Sequence, residues 1–329
     1  MALHKLKWGL LSTARIAQRL IPAIRAAERT EWLGVASRSE SRAEAYAAEW
    51  QIPRAYGSYE ALLDDPGIDV VYIPLPNSLH AEWTVRAVEA GKHVLCEKPL
   101  ALSVSECDRI IAAAESAGVV VAEAVMYLYH PLLHKARQLV AEGAVGQPRL
   151  VRGTFSYVLD RPDDVRWQPE LGGGALWDVG SYPVSFVRWI AGEPDEVFGW
   201  QMLTPGGIDG SFAGLLRYGE DRLGIFDCSL QQQFRVQAEV VGSEGRIAVE
   251  RPYLVTDASR IILERDWDKE EIVVPGGSAY QCEVEALTAA VLDGAALPVS
   301  LTSSRANVAT LTALYESARQ GAPVVMRPS

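Results

Sequence analysis

Short apolar runs alternate with amphipathic helical patterns along roughly the first 120 residues, and this order limits the possible fold more than any other feature. The apolar runs lie at residues 8–11, 33–36, 69–73 and 93–96. Between them, apolar residues recur at helical spacing. Such an alternation is typical of βαβ units, in which each helix carries the chain back to begin a parallel strand. The pattern predicts an α/β domain with a parallel sheet built from βαβ units.

The pattern changes after about residue 122. Residues 148–275 contain strand-like runs separated by turn signals, such as the glycine pair at 206–207 and the Gly-Ser-Glu-Gly stretch at 242–245. Runs of this kind, joined by short turns, are typical of antiparallel sheets. We therefore predict an α/β domain with a parallel sheet over residues 1–122, followed over residues 123–329 by a domain with an antiparallel sheet.

Composition and charge argue against several classes of protein. The 329 residues are 49% hydrophobic and 22% charged, with a formal net charge of −11. A basic face for nucleic acid or for an anionic membrane is not expected from that balance. No apolar run reaches the roughly 20 residues that span a bilayer, and residues 1–8 lead into a strand pattern rather than into a signal-peptide core. We expect a soluble, cytoplasmic protein without nucleic-acid or membrane partners.

Cysteine and histidine are too scattered to form a disulfide framework or a metal site. The chain has 4 cysteines and 5 histidines, without the paired spacing that zinc ligands show. We predict reduced thiols in the core and no bound metal.

Small residues stand where a dinucleotide-binding fold places its glycine-rich turn. Residues 9–17 join the first strand to the first helix, and Ser12, Ala14 and Ala17 replace the three glycines of the fingerprint. Small side chains still let the backbone approach a pyrophosphate, which helix N-terminal amides stabilise. Taken alone, the segment could also be a strand-to-helix turn without a ligand. We predict dinucleotide contacts from Ser12, Thr13, Ala14, Arg15 and Ile16.

The end of the second strand favours NADP over NAD. An NAD site usually has an acidic residue there for the ribose hydroxyls, whereas Ser37 and Arg38 stand there in this chain, with Arg42 in the next helix. Hydroxyl and guanidinium groups suit a 2′-phosphate. The arginines could instead be solvated surface charges, or could stack on adenine whichever cofactor is bound. We predict that Ser37, Arg38 and Arg42 contact the cofactor.

Polar and charged residues also follow two later strands. Residues 72–77 read Tyr-Ile-Pro-Leu-Pro-Asn, and residues 97–99 read Glu-Lys-Pro. Open α/β folds bind ligands at the carboxyl ends of their strands. Together, the two segments resemble the glucose-fructose oxidoreductase, inositol dehydrogenase and rhizopine catabolism (Gfo/Idh/MocA) family of dehydrogenases. The resemblance implies cofactor contacts from Pro74, Leu75, Asn77, His80, Glu97 and Lys98.

The resemblance extends over nearly the whole chain. Residues 123–127, followed by a His-Pro pair, look like the start of the family's second domain, and residues 171–182, a glycine run leading to Trp-Asp-Val-Gly-Ser-Tyr, are similar to its most specific signature. The resemblance implies a cis peptide between Lys98 and Pro99. It also implies the family's fold: an α/β Rossmann domain with a doubly wound parallel sheet over residues 1–122, and over residues 123–329 a substrate-binding and dimerisation α+β domain with a large open, mainly antiparallel sheet. Because the family often dimerises through that open sheet, we expect a homodimer or homotetramer.

Lys98, Asp178 and Tyr182 match the family's catalytic positions. Many members have histidine where this chain has Tyr182, and tyrosine there is similar to the dimeric dihydrodiol dehydrogenase and NADP-dependent xylose dehydrogenase branch. Oxidising a carbinol requires a base beside the hydroxyl while hydride leaves carbon, and Tyr182 or Lys98 could be that base. Asp178, four residues before Tyr182, would lie on the same face of a helical turn and could orient either group.

Substrate contacts are predicted from four further residues. Arg166 and Trp167 lie on the polar segment before the glycine run, although solvent-exposed loop charge is an equal alternative there. Tyr127 and Tyr280 are the other two candidates.

These features predict an NAD(P)-dependent oxidoreductase that transfers a hydride between nicotinamide and a secondary alcohol or carbonyl of a sugar, polyol or trans-diol. Two alternatives stay open: a redox-neutral epimerase or glycosidase that keeps its cofactor bound, and a non-catalytic dinucleotide-binding regulator. The intact set of Lys98, Asp178 and Tyr182 favours an enzyme, because a pure sensor would not need it.

Overall fold

The computed structural model describes residues 4–326, which form two β-sheets and the helices around them. The outer limits of the two predicted domains, at residues 1 and 329, lie outside the described residues. The first sheet contains β1 Leu6–Leu11, β2 Thr30–Ala36, β3 Arg54–Tyr56, β4 Val70–Ile73, β5 His93–Glu97 and β6 Val121–Ala124. The helices between its strands are α1 Ala17–Ala26, α2 Glu40–Trp50, α3 Tyr59–Leu63, α4 His80–Glu89 and α5 Val104–Ala117.

The first sheet is wholly parallel, in the order β3-β2-β1-β4-β5-β6. Every residue of β4 is buried, as expected for a central strand covered by helices on both faces. The strand order reverses between β1 and β4, and this reversal leaves a crevice at their carboxyl ends where such folds bind ligands. The predicted Rossmann sheet is confirmed.

The rest of the chain supplies a second, larger sheet and four more helices. The strands are β7 Pro148–Val158, β8 Glu196–Leu203, β9 Asp209–Tyr218, β10 Arg222–Ser229, β11 Gln231–Gly242, β12 Arg246–Glu250, β13 Arg260–Arg265, β14 Asp268–Val273 and β15 Val324–Val325. The helices are α6 Pro131–Ala141, α7 Ser181–Ala191, α8 Ala279–Asp293 and α9 Leu301–Gln320. Along residues 4–326, none of the helices is both long and apolar enough to cross a membrane.

The second sheet has nine strands in the order β14-β13-β12-β11-β7-β10-β9-β8-β15, and only the β7–β10 pair is parallel. Buried and exposed residues alternate along β9, as expected when one face packs on helices and the other is open. Gly224 makes room for α7, since a Cβ there would lie 2.4 Å from Cγ1 of Val187. The predicted large, open and mainly antiparallel sheet is confirmed.

The chain divides into two compact units that differ from the predicted limits. The first contains the chain up to Met126 together with Ser278–Ser304, and the second contains Tyr127–Gly277 and the chain from Arg305 onwards. Helix α8 therefore belongs to the Rossmann unit, although we expected it in the second domain. The reason is apolar packing, because Val284 and Leu287 belong to the same buried cluster as Leu20 and Ile24 of α1. Residues 1–122 and residues 123–329 remain the predicted limits of the two functional domains.

Candidate active site

The turn between β1 and α1 has the backbone geometry of a glycine turn, although it contains no glycine. Ser12 has a φ of 111°, in the left-handed region that glycine adopts most readily. Its amide donates to the carbonyl of Ala36 at 3.0 Å, and its Oγ accepts from the amide of Ala14 at 3.3 Å. These bonds hold Ser12 in a conformation that a serine rarely adopts, and such conformations are concentrated at functional sites.

The same turn offers unpartnered amides. Within residues 4–326, the backbone N–H groups of Thr13, Arg15 and Ile16 have no protein acceptor, and no side chain caps the N-terminus of α1. Free amides at a helix start stabilise an anion such as a pyrophosphate. The turn therefore has the free amides that the diphosphate of a dinucleotide would need, and the contacts from residues 12–16 stay a prediction.

The loop after β2 brings two guanidinium groups to one place. Ser37 is buried, and its Oγ accepts from the amide of Ser39 at 3.3 Å. Arg38 and Arg42 are exposed and lie beside Tyr59: burial raises the pKa of that phenol, whereas the hydrogen bond and charge of Arg38 and the charge of Arg42 lower it. Two cations that converge beside a loop hydroxyl suit a phosphate monoester.

His80 joins the loops that follow β4 and β5. Its Nδ1 lies 2.7 Å from the carbonyl oxygen of Pro99, and its Nε2 lies 2.8 Å from that of Leu75. The ring is fully buried, and burial lowers its pKa. Its burial and its two backbone contacts make His80 a support for the backbone of both loops, and its contact with a cofactor stays a prediction. Pro74, Leu75 and Asn77 lie on the first of these loops.

The Glu97-Lys98-Pro99 segment lies at the carboxyl end of β5. The Lys98–Pro99 peptide bond is cis, which confirms the prediction from the family resemblance. Glu97 accepts a hydrogen bond of 2.6 Å from the hydroxyl of Tyr72, and the amide of Lys98 lies 3.3 Å from Glu97 Oε2. The carboxylate therefore fixes the backbone that carries Lys98.

Helix α8 adds two groups beside Glu97. Tyr280 lies on this helix. Burial is the main cause that raises the pKa of its phenol, and Glu97 and Glu283 raise it further. Glu283 is buried, and its Oε1 has no hydrogen-bond partner within residues 4–326. Burial, reinforced by Glu97 and Glu123, raises its pKa well above the usual range. The folded protein therefore favours the protonated form of Glu283 more than an ordinary glutamate would, and the sequence contained no local signal for this residue.

In the second unit, the helix of the glycine-run signature begins with a π-helical turn, Leu176–Gly180, and continues as α7. The α-helical spacing that we assumed between Asp178 and Tyr182 is therefore wrong over this turn. π-turns within α-helices are often found at functional sites. Asp178 lies within the turn and is buried.

Two side chains hold the carboxylate of Asp178. Arg166 Nε forms an ion pair with its Oδ2 at 2.8 Å, and the hydroxyl of Tyr157 donates to the same oxygen at 3.1 Å. Arg166 also pairs with Asp164 at 3.0 Å, and the pKa of its guanidinium is raised chiefly by Asp178. Tyr157 and Asp164 were missed by sequence reasoning, because their roles depend on contacts with Asp178 and Arg166 that no local motif encodes.

Tyr182 belongs to a cluster of aromatic rings. The centroid of the Tyr182 ring lies 5.8 Å from that of Tyr127, 5.3 Å from that of Phe155 and 5.6 Å from that of Tyr253. The hydroxyl of Tyr127 contacts Ser185 Oγ at 2.7 Å and donates to the carbonyl of Tyr182 at 3.2 Å. Rings at these distances hold a phenol in one orientation.

The structure places the predicted substrate residues differently. Tyr127 is fully buried and packs against Tyr182, and Arg166 pairs with Asp178 and Asp164; substrate contacts by both residues stay a prediction. Trp167 is half-buried on the same segment as Arg166, and Tyr280 belongs to the first unit with Lys98. Asp178 and Tyr182 lie together in the second unit. No group of three or more His, Cys, Asp or Glu in the described part of the chain could hold a metal ion.

Comparison with family models covers most of the chain. Residues 6–125 match the oxidoreductase family with an NAD-binding Rossmann fold, and residues 133–248 match the GFO/IDH/MocA C-terminal domain. The D-xylose 1-dehydrogenase (NADP(+)) 2 of Haloferax volcanii is 40% identical over 96% of this chain and 98% of its own length. The trans-1,2-dihydrobenzene-1,2-diol dehydrogenase of Danio rerio is 36% identical over 74% of each chain.

Solved structures agree with the family models. The aldose-aldose oxidoreductase of Caulobacter crescentus superposes with a TM-score of 0.91 at 25% identity, covering 98% of this chain and 100% of the other. The 3-ketoreductase KijD10 of Actinomadura kijaniata, in complex with NADP and TDP-benzene, gives a TM-score of 0.90 at 29% identity over 99% and 100%. With both of its domains matched, the chain belongs to the Gfo/Idh/MocA family of oxidoreductases and carries that family's NAD-binding Rossmann fold.

Proposed function

We propose that this enzyme is an NADP-preferring dehydrogenase that acts on a secondary alcohol of a sugar, polyol or trans-diol, or on the corresponding carbonyl in reverse. One observation carries the proposal: the structure builds elaborate support for Asp178 and Tyr182, the residues of the family signature. The names of the similar proteins, a xylose dehydrogenase and a dihydrodiol dehydrogenase, support the substrate class.

The proposed chemistry assigns a separate task to each residue. When bound, the nicotinamide supplies or accepts the hydride. Tyr182, as the phenolate, takes the hydroxyl proton of the alcohol, or, as the phenol, gives its proton to the carbonyl oxygen in reverse, and the packed rings around it hold its side chain in place. Asp178 orients the reacting groups while Arg166 and Tyr157 neutralise and fix its carboxylate. Lys98 supplies a positive charge that favours the phenolate form of Tyr182. In the alternative assignment, Lys98 itself exchanges the proton with the hydroxyl of the substrate.

The preference for NADP rests on the loop after β2. Arg38 and Arg42 converge beside Tyr59, and Ser37 adds a hydroxyl. Paired guanidinium groups bind a phosphate through charge-assisted hydrogen bonds, which a ribose hydroxyl cannot replace. The NADP named for the xylose dehydrogenase and for the KijD10 complex agrees with this assignment.

The first test is absorbance at the reduced-nicotinamide band. Purified protein is given NADP or NAD with a panel of aldoses, inositols and trans-diols. We expect a rise with NADP and at least one substrate, and the Lys98→Met variant should bind cofactor but lose turnover. Undiminished turnover by Lys98→Met would overturn the residue assignment, and faster turnover with NAD would overturn the NADP preference.

A redox-neutral reaction is the second candidate. The similar aldose-aldose oxidoreductase is named for a reaction between two aldoses, so hydride could also return to a second sugar from a retained cofactor. Purified protein would then carry nicotinamide through gel filtration and would convert a sugar mixture without added cofactor. Loss of all cofactor on gel filtration, together with steady NADPH formation from one substrate, would exclude this candidate.

The proposed setting is the cytoplasm, and the proposed assembly is a homodimer or homotetramer formed through the open sheet. Apolar side chains are exposed on that sheet, notably Trp200 and Met202 on β8, Leu215 on β9 and Leu223 on β10. Exposed apolar groups on neighbouring strands are typical of an interface with another chain. Sedimentation velocity tests this assembly, and a monomer at micromolar concentration would contradict it.

A further inference from the structure

A buried carboxylate lies at the start of the π-helical turn that carries Asp178. Asp209, the first residue of β9, is 3% exposed. Its Oδ2 accepts a hydrogen bond of 2.8 Å from the amide of Leu176, and its Oδ1 accepts one of 2.8 Å from the hydroxyl of Tyr315 on α9. The amide of Ala175 also contributes to holding this carboxylate. Both amides belong to the residues that begin the turn.

The last glycine of the glycine run is shaped around this carboxylate. Gly174 has a φ of 126°, and a Cβ on it would lie 2.2 Å from Asp209 Oδ1 and 2.8 Å from the hydroxyl of Tyr315. The amide of Asp178 donates to the carbonyl of Gly174 at 3.0 Å. One contiguous set of contacts therefore connects Asp209, through Gly174 and Leu176, to the backbone of Asp178.

The ionised form of Asp209 suits its position at the start of a helix. An anion at the start of a helix satisfies orphan amides and opposes the helix dipole. Burial nevertheless raises the pKa of Asp209 to about 6, although the hydrogen bonds from Leu176 and Tyr315 lower it. The titratable groups that face it are Tyr315 and Cys228 of β10, and burial raises the pKa of both, so they stay neutral.

We propose that Asp209 is a positioning residue for the proposed dehydrogenase reaction: its carboxylate fixes the start of the helix that carries Asp178 and Tyr182, and its protonation in mild acid loosens that helix and slows turnover. Asp209 touches neither substrate nor cofactor in this proposal. The inference rests on the proposed function for its effect on turnover, whereas its effect on the helix can be measured without a substrate.

The direction of the pH effect follows from the charge. Above about pH 6 the carboxylate is ionised and holds both amides. Below that value it gains a proton, and its attraction for the amides of Ala175 and Leu176 weakens. Turnover and protection of the turn should therefore fall together as the pH drops through the same range.

The substrate-free test is hydrogen exchange of residues 175–182 from pH 5 to pH 8, corrected for intrinsic exchange. In the unmodified protein we expect protection to fall about tenfold with a midpoint near pH 6. Asp209→Asn has nearly the same shape but no titrating charge, so its protection should be low and independent of pH. Protection that is equal in both proteins, or a wild-type midpoint that remains in Asp209→Asn, would overturn the proposal.

A second variant keeps the test valid if Asp209→Asn does not fold. Tyr315→Phe removes one hydrogen bond to the ionised carboxylate, so the pKa of Asp209 should rise and the acid midpoint should move to higher pH. In turnover assays, the acid limb of kcat should move in the same direction, while KM for the cofactor stays within about twofold. An unmoved midpoint in both measurements would overturn the proposal. Turnover that is absent in every protein, with the exchange results as expected, would count against the proposed function alone.

Discussion

In the Rossmann unit, the groups that suit a cofactor follow directly after strands β1, β2, β4 and β5, so each loop carries its own contribution. In the second unit, Asp178 depends on Tyr157 from β7 and on Arg166 from an irregular segment, and Tyr182 depends on rings from three other places in the chain. A parallel sheet brings its loops to one edge through topology alone. The open sheet offers no such edge, so Asp178 and Tyr182 are held by partners from other elements of the second unit.

The largest effect is expected at Tyr182. Tyr182→Phe keeps the ring packing but removes the hydroxyl, so kcat should fall by about 10²–10⁴-fold with little change in Tm. The matched control is Tyr127→Phe, which loses a buried hydroxyl in the same cluster and should reduce kcat by less than about tenfold. Equal losses in the two variants would show that the cluster matters only as a packed whole.

In the Rossmann unit each loop carries its own contribution, so a substitution in one loop should weaken one contact with the cofactor and leave the others unchanged. Arg38→Ala should raise KM for NADP by about 10–100-fold and leave KM for NAD nearly unchanged, because a charge-assisted bond to phosphate contributes about 1.5–3 kcal/mol. Arg109→Ala, an exposed arginine of α5, is the control and should change neither value. Steady-state kinetics with both cofactors measures the effect. A parallel increase for NAD would indicate adenine stacking instead of phosphate recognition.

In the second unit, Asp178 depends on side chains from other elements, so removing one of these side chains should lower the free energy of unfolding. Arg166→Met removes the ion pair between Arg166 and the buried carboxylate of Asp178 and keeps the hydrogen bond from Tyr157. The free energy of unfolding should fall by about 1–2 kcal/mol, less than for a fully buried pair, because the arginine is partly solvated. Arg161→Met, which removes only the exposed pair with Asp164, should cost less than about 0.5 kcal/mol. Calorimetry measures the free energy of unfolding of both variants. Equal values for the two would contradict this account.

The smallest effect concerns Glu283 in the Rossmann unit. Its pKa is raised in the folded protein, so folding takes up a proton and stability falls as the pH rises above the unfolded value of about 4.3. Glu283→Gln removes this penalty. Its Tm should equal that of the unmodified protein near pH 4 and exceed it by about 2–4 °C at pH 8. A Tm difference that does not depend on pH would show that Glu283 is ionised when folded.

The same contrast explains what the sequence could predict. Glu97-Lys98-Pro99 is contiguous and ends an apolar strand, so its place at the sheet edge could be expected from the pattern, whereas its cis bond was expected only from the family resemblance. Asp209 and Glu283 carry no motif, and their positions follow from long-range packing of β9 and α8. The π-helical turn was also missed, because residues 176–180 have the composition of an ordinary apolar helix. Local pattern therefore determines the strands and loops, whereas buried charge depends on the assembled core.

Helix α8 has a consequence for synthesis on the ribosome. The chain leaves the Rossmann core after Met126 and returns to it only at Ser278. Until Val284 and Leu287 emerge, the apolar residues Leu20 and Ile24 of α1 lack part of their cover. Domains generally fold as units during translation, and exposed apolar surface in the nascent chain promotes aggregation. While strands β7 to β14 are being synthesised, the nascent chain therefore exposes part of the apolar surface of α1, and binding by chaperones in that interval is expected to limit aggregation.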